Sequence, residues 1–415
     1  MKSNRETMSE ISNKIVDEVN ILHLSDLHFG FEKAKKYEYG SSDRSELFSE
    51  LIKTLRDDIP EEWKPDIIVI SGDIAWCGDG DEYKQYEREF LTPLLAALNL
   101  QDKPQRVITC PGNHDIIRAA ISEDIKRPKR GQPLNNKIPK ITLESILQTR
   151  YKHFKNYVEY CCDGEASNIC RLVDNDETWP WIHFLVLNSA WDCRDNEDAG
   201  TLRVGIELAK KYRSQIKDVN ESQEDIVVAI FHHPCIEVKA YNPKKKSYMP
   251  VKWLHYTECG EAIDGDSTFE DFINRTVDVV LNGHVHVEKE PITINRATHY
   301  ISGTVYSGDM REYHCRIIKL RRGSNVTSYI NLRRKLSDVG QPWEVSRERE
   351  PIGVQYIKSR VQAEQLLNLI GKWKNNNRSP LMKLLLELAV LNNELEEFDI
   401  NSLETIMTRI RRRED

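Results

Sequence analysis

The order of apolar runs along this chain predicts an α/β fold. Three short runs, at 19–25, 66–71 and 106–110, have the length of strands, and the second is apolar almost throughout, as in a strand buried on both faces. Segments 44–59 and 82–98 lie between these runs, and the first of them repeats apolar residues at helical spacing. Alternation of strand and helix in this way is typical of an α/β core.

More strand-like runs follow in the second half of the chain. Three of them are apolar enough to be buried strands, and four later ones are separated only by short turns. Short turns indicate an antiparallel or mixed second sheet near the end of the domain. The seven runs lie at 181–188, 226–231, 277–281, 292–294, 298–302, 314–320 and 326–332.

Residues 116–180 interrupt the strand order and are predicted to form an insertion that caps the site. Within it, 126–140 contains six Lys or Arg residues and no acid, and a helix is expected from about 143 to 160. A second basic segment, 239–252, is predicted to be a loop close to His232. Both basic segments adjoin the polar clusters described below.

The last part of the chain is predicted to form a separate helical module. Residues 335–352 are polar with Gly and Pro, as in a linker or a loosely packed crossing segment, and 354–415 repeats apolar residues at helical spacing. The catalytic domain is therefore expected at 19–334 and the C-terminal module at 354–415. Two roles remain open for this module, packing against the domain or binding a partner protein.

Charge and cysteine content restrict the class of protein. The chain has 415 residues, a net charge of −7 and nine cysteines. The acidic balance excludes a general attraction to nucleic acid but allows a local basic surface. An odd number of cysteines without a CxxC pair argues against a disulfide framework or a zinc knuckle, and favours reduced thiols in the cytoplasm. No apolar run reaches about 18 residues, so no membrane contact is expected.

Five polar clusters stand at or just beyond the carboxyl ends of predicted strands. Each cluster alone has an ordinary structural explanation, such as a turn or a buried histidine pair. The occurrence of all five, in this order and each after an apolar run, has no such explanation. Because ligands of open α/β sheets bind beyond the carboxyl ends of strands, the clusters are predicted to converge. They are Asp26-Leu-His28, Gly72-Asp73, Gly112-Asn-His-Asp115, His232-His233-Pro234 and Gly283-His-Val-His286.

The clusters contain a set of side chains that suits transition metals. Two carboxylates, one amide oxygen and four imidazoles favour Mn above all, then Fe, Zn or Ni, and are poor for Ca or Mg alone. Seven ligands are too many for one ion, so two are predicted, which can hold a phosphate and activate a hydroxide for in-line attack. The seven are Asp26, His28, Asp73, Asn113, His232, His284 and His286.

Over about residues 19–322, this set of motifs resembles the calcineurin-like metallophosphoesterase superfamily. The resemblance implies a sandwich of two β-sheets flanked by helices. It also assigns three ligands to each of two metal ions and one ligand to a bridging position between the ions. They are Asp26, His28 and His286 for one ion, Asn113, His232 and His284 for the other, and Asp73 between them.

The remaining polar residues near the motifs receive separate roles. The resemblance makes His114 the catalytic histidine that protonates the leaving oxygen, a task suited to imidazole near neutral pH. Asp115 is expected to orient His114 and hold it charged, or alternatively to stabilise the turn. His23 is expected to be a core residue, and His233 either lines the pocket or packs. The segment 188–192 could border the cleft or form an ordinary turn.

The motifs indicate the reaction class better than the substrate. Asp26-Leu-His-Phe-Gly with Gly-Asn-His-Asp115 resembles two groups, bacterial phosphodiesterases of the cyclic-nucleotide type and nucleases of the double-strand-break repair type. The phrase Phe231-His-His-Pro234 is closer to the first group. The basic segments 126–140 and 239–252 favour a nucleotide or nucleic acid, so a metal-dependent phosphodiesterase or nuclease is expected.

Three other functions stay open at this stage. A phosphomonoesterase, including a protein phosphatase, would use the same metals. The chain could instead be the nuclease or effector subunit of a larger complex, docked through 354–415. A non-catalytic binding module is disfavoured, because His114 is present.

Overall fold

In the computed structural model, the strands form two main sheets that pack against each other, with helices on their outer faces. The basic segment 126–140 and the C-terminal module predicted at 354–415 lie outside the residues that the structure describes. Among the described helices, none is both long enough and apolar enough to cross a membrane. The described residues are 16–33, 41–117, 148–161, 170–174, 178–194, 198–204, 225–242, 247–254, 268–307, 312–323, 327–335 and 340–353.

The first sheet contains the three strands at the start of the predicted α/β core. Its strands are β1 (Glu18–Leu24), β2 (Ile67–Ile70), β3 (Val107–Thr109), β12 (Glu312–Arg321), β13 (Ser328–Lys335) and β14 (Glu344–Val345). Their order across the sheet is β14-β13-β12-β1-β2-β3. The neighbours β1, β2 and β3 run parallel, whereas β12 is antiparallel to β1 and β13 is antiparallel to β12.

The second sheet is mixed, with a parallel centre. Its strands are β4 (Cys170–Asp174), β5 (Ile182–Leu187), β6 (Ile226–Ile230), β9 (Val279–Asn282), β10 (Ile292–Ile294), β11 (Ala297–Ile301) and β15 (Ile352–Gly353). Their order is β15-β10-β11-β9-β6-β5-β4, and β5, β6, β9 and β11 are parallel to one another. A separate hairpin is formed by β7 (Val238–Asn242) and β8 (Ser247–Val251).

Several sequence-based expectations need correction. The four late runs do not form one second sheet, because β10 and β11 join the second sheet while β12 and β13 extend the first. Strand β4 lies within the stretch 116–180, where no strand was predicted. The segment 239–252 is mostly the hairpin β7–β8 rather than a loop. Short strands at a sheet edge carry weak patterns, and their partners are set by long-range pairing.

The two sheets meet through alternate residues of their strands. Ile21, Ile67 and Val69 of the first sheet belong to one buried cluster with Val228 and Ile230 of the second. Successive residues of a strand point to opposite faces, so the intervening residues are left for the helical layers. This arrangement confirms the sandwich of two sheets that the resemblance implies.

Helices cover the faces that the sheets turn away from each other. They are α1 (Ser41–Asp57), α2 (Gly80–Tyr86), α3 (Thr92–Ala97), α4 (Lys152–Cys161) and α5 (Phe269–Thr276). The predicted helix 82–98 is interrupted by a π-helical turn between α2 and α3, and α5 was not predicted. A second buried cluster joins Leu47, Phe48 and Leu51 of α1 to Leu22 and Ile70 of the first sheet.

The parallel strands of both sheets end at a common edge. The backbone N–H of Asp26 donates to the carbonyl oxygen of Gly72 at 3.1 Å, which joins the ends of β1 and β2. In the second sheet, the N–H of Gly283 donates to the carbonyl of His232 at 3.0 Å. The N–H of Tyr306 donates to the carbonyl of Asp26 at 3.1 Å and so links the two sheets at this edge. The predicted clusters are therefore brought together by backbone pairing.

Candidate metal centre

Five of the seven predicted ligands have an unusual backbone conformation. The φ angles are 56° at Asp26, 48° at His28, 57° at Asp73, 70° at His284 and 59° at His286. Side chains with a Cβ rarely adopt this left-handed region. Each such residue costs about 1–3 kcal/mol and persists only where the surrounding structure imposes the conformation. Strain of this kind concentrates at functional sites, and here it is concentrated at the ends of β1, β2 and β9.

The first group of ligand atoms contains two carboxylates and two imidazoles. Its ligand atoms, from Asp26, His28, Asp73 and His286, all lie within 4.8 Å of one another. The Nε2 atom of His286 is 3.2 Å from Oδ1 of Asp26, and Nε2 of His28 is 3.4 Å from Oδ2 of Asp73. Such close approach of lone-pair atoms is the arrangement expected around one cation.

The second group is centred on the amide oxygen of Asn113. This Oδ1 atom lies 2.9 Å from Nδ1 of His284 and 3.2 Å from Nε2 of His232. The same Nε2 of His232 lies 3.1 Å from Oδ2 of Asp73. Since Oδ2 of Asp73 also faces His28 in the first group, it stands between the two groups, where a bridging carboxylate is required.

Two of the histidines are fixed in orientation by main-chain oxygens. The Nδ1 atom of His28 lies 3.1 Å from the carbonyl oxygen of Tyr306, and Nδ1 of His232 lies 2.8 Å from that of Ser71. A carbonyl only accepts, so Nδ1 carries a proton in both rings and Nε2 is the atom turned toward the ligand groups. Hydrogen bonds of this kind set the tautomer and the ring orientation of metal-binding histidines.

The pKa shifts of Asp73 and His284 suit cation binding, whereas burial of His232 is outweighed by the charges of Asp73 and Asp26, which raise its pKa to about 9, so an incoming metal ion must displace its proton. Burial raises the pKa of the Asp73 carboxyl, but the charges of His232 and His114 outweigh it and hold that pKa well below its usual range. Burial lowers the pKa of His284, and the charges of His233 and His232 lower it further. Metal ligands must be deprotonated, and both residues meet that condition near neutral pH.

The buried polar atoms of the first group support the presence of a cation. Oδ1 of Asp26, Nε2 of His28 and Oδ2 of Asp73 are buried, and none has a hydrogen-bond partner among the described residues. Buried polar groups are nearly always hydrogen-bonded, so each exception requires an explanation. Metal coordination supplies one, and the mixed oxygen and nitrogen donors suit Mn, Fe, Zn or Ni. The residues present therefore fit two divalent ions.

Two glycines allow the ligand loops to approach each other. At Gly112, an added Cβ would lie 2.1 Å from Oδ1 and 2.5 Å from the backbone N of Asp73. At Gly72, φ is +96° and a Cβ would lie 2.6 Å from Nδ1 of His232. Only glycine combines this conformation with this closeness. The carboxylate of Asp73 thus occupies the space that a side chain at Gly112 would need.

The carboxylate of Asp115 is enclosed by hydrogen-bond donors of the surrounding turns. Its carboxylate accepts hydrogen bonds from the backbone N–H groups of Asp73 (2.8 Å), Ala75 (2.9 Å) and Gly112 (2.8 Å), and from the hydroxyl of Tyr83 (2.9 Å). These four donors engage both carboxylate oxygens. Asp115 therefore stabilises the turns that carry the ligands, as the alternative view of this residue holds.

His114 is oriented by Trp76. Its Nδ1 lies 2.8 Å from the carbonyl oxygen of Trp76, and its backbone N–H donates to Oδ1 of Asp73 at 2.7 Å. The indole of Trp76 also stacks on the imidazole. Sequence reasoning missed Trp76, although its position three residues after Asp73 was a usable signal.

The less specific candidates divide into core and border residues. His23 is buried with its Nε2 2.9 Å from the hydroxyl of Ser71, which confirms it as a core residue. His233 packs beside the site, since its Nδ1 lies 3.0 Å from the hydroxyl of Ser189 and its ring centroid lies 4.3 Å from that of His284.

The segment that contains Asn188, Trp191 and Asp192 is organised by internal contacts. The side-chain oxygen of Asn188 accepts from the N–H of Ala190 at 2.9 Å, as in a turn. Asp192 is buried and pairs with Arg203 at 2.8 Å, and the guanidinium of Arg203 lies over the ring of Trp191. These contacts support the ordinary turn rather than a role in chemistry.

Comparison with known proteins agrees with this geometry. The family model described as calcineurin-like phosphoesterase matches residues 19–288, which is more than half of the chain. The chain belongs to the calcineurin-like phosphoesterase family. The family is one of phosphoesterases, and the proposed ligands of both groups lie within the matched residues.

Relatives of this calcineurin-like phosphoesterase are distant. The metallophosphoesterase-like protein YydB of Bacillus subtilis is 23% identical over 282 residues, which are 67% of this chain and 50% of YydB. The chain thus spans about half the length of this curated relative.

Solved structures share still less of the sequence. A dimetal phosphatase from Danio rerio is 11% identical with a TM-score of 0.42, covering 81% of this chain and 99% of that one. A 5'-nucleotidase from Candida albicans is 11% identical with a TM-score of 0.33, covering 74% of this chain and 47% of that one.

Proposed function

We propose that this calcineurin-like phosphoesterase hydrolyses phosphodiester bonds of a nucleotide or nucleic acid. The observation that carries the proposal is the position of Asp73, whose Oδ2 lies 3.4 Å from Nε2 of His28 and 3.1 Å from Nε2 of His232. A single carboxylate shared by two ligand groups suits a pair of ions. When bound, the ions supply Lewis acidity toward a phosphoryl oxygen and an activated water.

The chain's own residues supply binding, orientation and a proton. His114 lies next to the ligand groups, with its ring centroid 5.1 Å from that of His28. Because Nδ1 of His114 donates to Trp76, Nε2 is the atom that can hand a proton to the leaving oxygen. An alkoxide leaving group needs such a proton, whereas a good leaving group such as nitrophenolate needs it far less.

The proposed ligands are the seven predicted side chains, and the proposed ions are Mn first and then Fe, Zn or Ni. Histidine-rich donor sets with two carboxylates favour these ions over Mg or Ca. The basic segment 126–140, which lies outside the described residues, is proposed to contact nucleic acid. The module at 354–415 is proposed to bind a protein partner. The protein is proposed to act in the cytoplasm and not to bind membranes.

A metal-screened activity panel tests this function. Purified full-length protein is freed of metal, loaded in turn with Mn, Fe, Zn or Ni, and given a bis-aryl phosphate, a mono-aryl phosphate, cyclic nucleotides, and single- and double-stranded DNA and RNA. We expect the diesters and at least one nucleotide substrate to turn over faster than the monoester. Faster hydrolysis of the monoester would instead favour a phosphomonoesterase or protein phosphatase.

A second measurement tests the basic segment. Replacing Lys126, Arg127, Lys129 and Arg130 together with Ser is expected to raise the KM for oligonucleotides and to leave the small bis-aryl diester unaffected. The contrast follows because a small diester does not reach beyond the metal centre. Equal effects on both substrates would contradict the role given to this segment.

A further inference from the structure

The hairpin β7–β8 turns one face to the protein and the other to solvent. Directly opposed residues of an antiparallel pair share a face, and the register pairs Val238 with Val251 and Lys239 with Pro250. Val238 is buried and Lys239 is exposed, so the face with Lys239 and Pro250 is the outer one. Tyr248 precedes Pro250 by two residues and is therefore on the outer face, where it is 57% exposed.

The hairpin is attached to the metal centre. Trp253, two residues beyond β8, has its ring centroid 4.2 Å from that of His284, in an edge-to-face contact. The carbonyl oxygen of Trp253 also accepts a hydrogen bond from the N–H of Gly200 at 2.8 Å. Lys289, three residues after His286, places its Nζ 5.8 Å from the ring centroid of Tyr248. The outer face of the hairpin is therefore connected to two proposed ligands, to His284 through Trp253 and to His286 through Lys289.

The charges on this face favour an anionic ligand. Lys239 lies on the same face of the hairpin as Tyr248, and the Nζ of Lys289 approaches the ring of Tyr248, so both cations border that ring. In agreement with this placement, burial and then the charge of Lys239 lower the pKa of Lys289. Lys252 also follows the hairpin, but its charge is balanced by its ion pair with Glu270. Two neighbouring cations repel each other, and an anion bound between them removes that cost.

We propose that Lys239, Tyr248 and Lys289 bind a single strand of nucleic acid that continues into the metal centre. The two lysines contact backbone phosphates, and one base stacks on the exposed ring of Tyr248. A base must be unstacked from its neighbours to use that ring, which selects a single strand over a duplex. The choice of substrate rests on the proposed function, whereas the binding surface is defined by the hairpin.

Binding to a labelled single-stranded oligonucleotide tests the surface without turnover. Fluorescence anisotropy of full-length protein with a fluorescein-labelled dT12 is measured in EDTA over a range of salt concentrations. We expect Tyr248→Ala to weaken binding about fivefold or more, because one stacked base is lost, and Tyr248→Phe to bind like the wild type. In the double variant Lys239→Ser and Lys289→Ser, the salt dependence of binding should be weaker. The magnitude of the slope of log association constant against log salt concentration should decrease by about 1.4, which is about 0.7 for each lost phosphate contact.

Matched controls separate this surface from general charge. Lys53 and Lys84 are side chains with 58% and 76% exposure on α1 and α2, and replacing both with Ser should leave the salt slope nearly unchanged. The proposal is overturned if the wild type does not bind dT12. It is equally overturned if the hairpin variants bind like the wild type, if a duplex binds as tightly, or if an acidic peptide competes as well as the oligonucleotide.

Turnover of a bis-aryl phosphate by the metal-loaded wild type is measured in parallel. If the diester is not hydrolysed while the hairpin variants still show the expected loss of binding, the proposed function fails and the binding surface stands. If the diester is hydrolysed while the variants bind dT12 normally, the proposed binding surface fails and the proposed function stands. The two proposals therefore fail through different measurements.

Discussion

The imidazole of His114 lies against the indole of Trp76, with ring centroids 4.3 Å apart and an interplanar angle of 19°. The carbonyl oxygen of the same Trp76 lies 2.8 Å from Nδ1 of His114. One residue thus fixes both the plane of the ring and its tautomer. Trp76 follows Asp73 by three residues, so a single loop carries the proposed bridging ligand and the group that holds the proposed proton donor.

Replacing His114 with Ala should separate chemistry from metal binding. Loss of general acid catalysis lowers turnover by about 10²- to 10⁴-fold, and the effect should be largest for alkyl diesters with poor leaving groups. Bound metal, measured by elemental analysis, should stay at the wild-type level because His114 belongs to neither ligand group. His183→Ala, which removes a histidine paired with Asp225, is the matched control and should retain activity. Undiminished turnover in His114→Ala would refute the assignment.

The carboxylate of Asp73, which is the proposed bridge, should be essential for holding two ions. In Asp73→Asn, the amide oxygen can still accept the hydrogen bond from the N–H of His114. The position between His28 and His232, now taken by Oδ2, is then occupied by an NH₂ group; if the amide turns around, it is occupied by an uncharged oxygen. Metal content after dialysis is expected to fall below two ions per chain, with binding weakened about tenfold or more. Asp278→Asn, in a carboxylate that pairs with Arg296 instead, should keep both ions. Full occupancy in Asp73→Asn would contradict the bridge.

Close approach at Gly112 gives a prediction with a built-in control. In Gly112→Ala, the new Cβ would lie 2.1 Å from Oδ1 of Asp73, so the bridging carboxylate must move and metal content should fall. Gly340→Ala has nothing within 4 Å of its Cβ, but its φ of +72° imposes strain of about 1 kcal/mol on alanine. We therefore expect Gly340→Ala to lower the free energy of unfolding slightly with normal metal content. Equal metal content in both variants would disprove the steric argument.

Acid should destabilise the fold in part through His299. Burial lowers the pKa of this histidine from 6.5 to about 3, and its Nε2 lies 2.6 Å from the side-chain oxygen of Asn274. Because the unfolded chain takes up the proton first, this contribution to stability is complete above pH 6.5 and is lost progressively as the pH falls toward 3.

Denaturant unfolding in EDTA can measure this contribution. Between pH 6.5 and pH 5.0 the free energy of unfolding of the wild type should fall by about 1.6 kcal/mol more than that of His299→Gln. A full proton corresponds to about 1.4 kcal/mol per pH unit, and the unfolded histidine is already half protonated at pH 6.5. His299→Gln can be less stable at every pH without affecting this comparison. Parallel stability curves for the two proteins would contradict the prediction.

Much of the fold followed from local patterns in the sequence. The runs at 19–25, 66–71 and 226–231 became β1, β2 and β6, because continuous apolar runs bounded by polar residues have few alternatives to buried strands. Helix α5 (Phe269–Thr276) and strand β4 (Cys170–Asp174) were missed. Both are short, and their formation depends on packing and pairing with distant parts of the chain.

At the proposed site, too, the local sequence predicted some features, whereas others depend on residues far apart in the chain. Ligand types could be read from the clusters, since Asp, His and Asn side chains at strand ends have few structural reasons to accumulate. For Asp115 the sequence left two roles open, because adjacency to His114 in sequence says nothing about which donors surround a buried carboxylate. Its partners include Tyr83 and Ala75, which lie 32 and 40 residues away in the chain.

By itself, the sequence determined the residue types at the metal centre and the order of the strands that present them. Tertiary structure alone decided that Asp73 stands between the two ligand groups, that Trp76 orients His114, and that the basic hairpin lies against His284 through Trp253. The physical reason is that periodicity and motif spacing encode local conformation, whereas these contacts arise from pairing and packing between segments far apart in the chain.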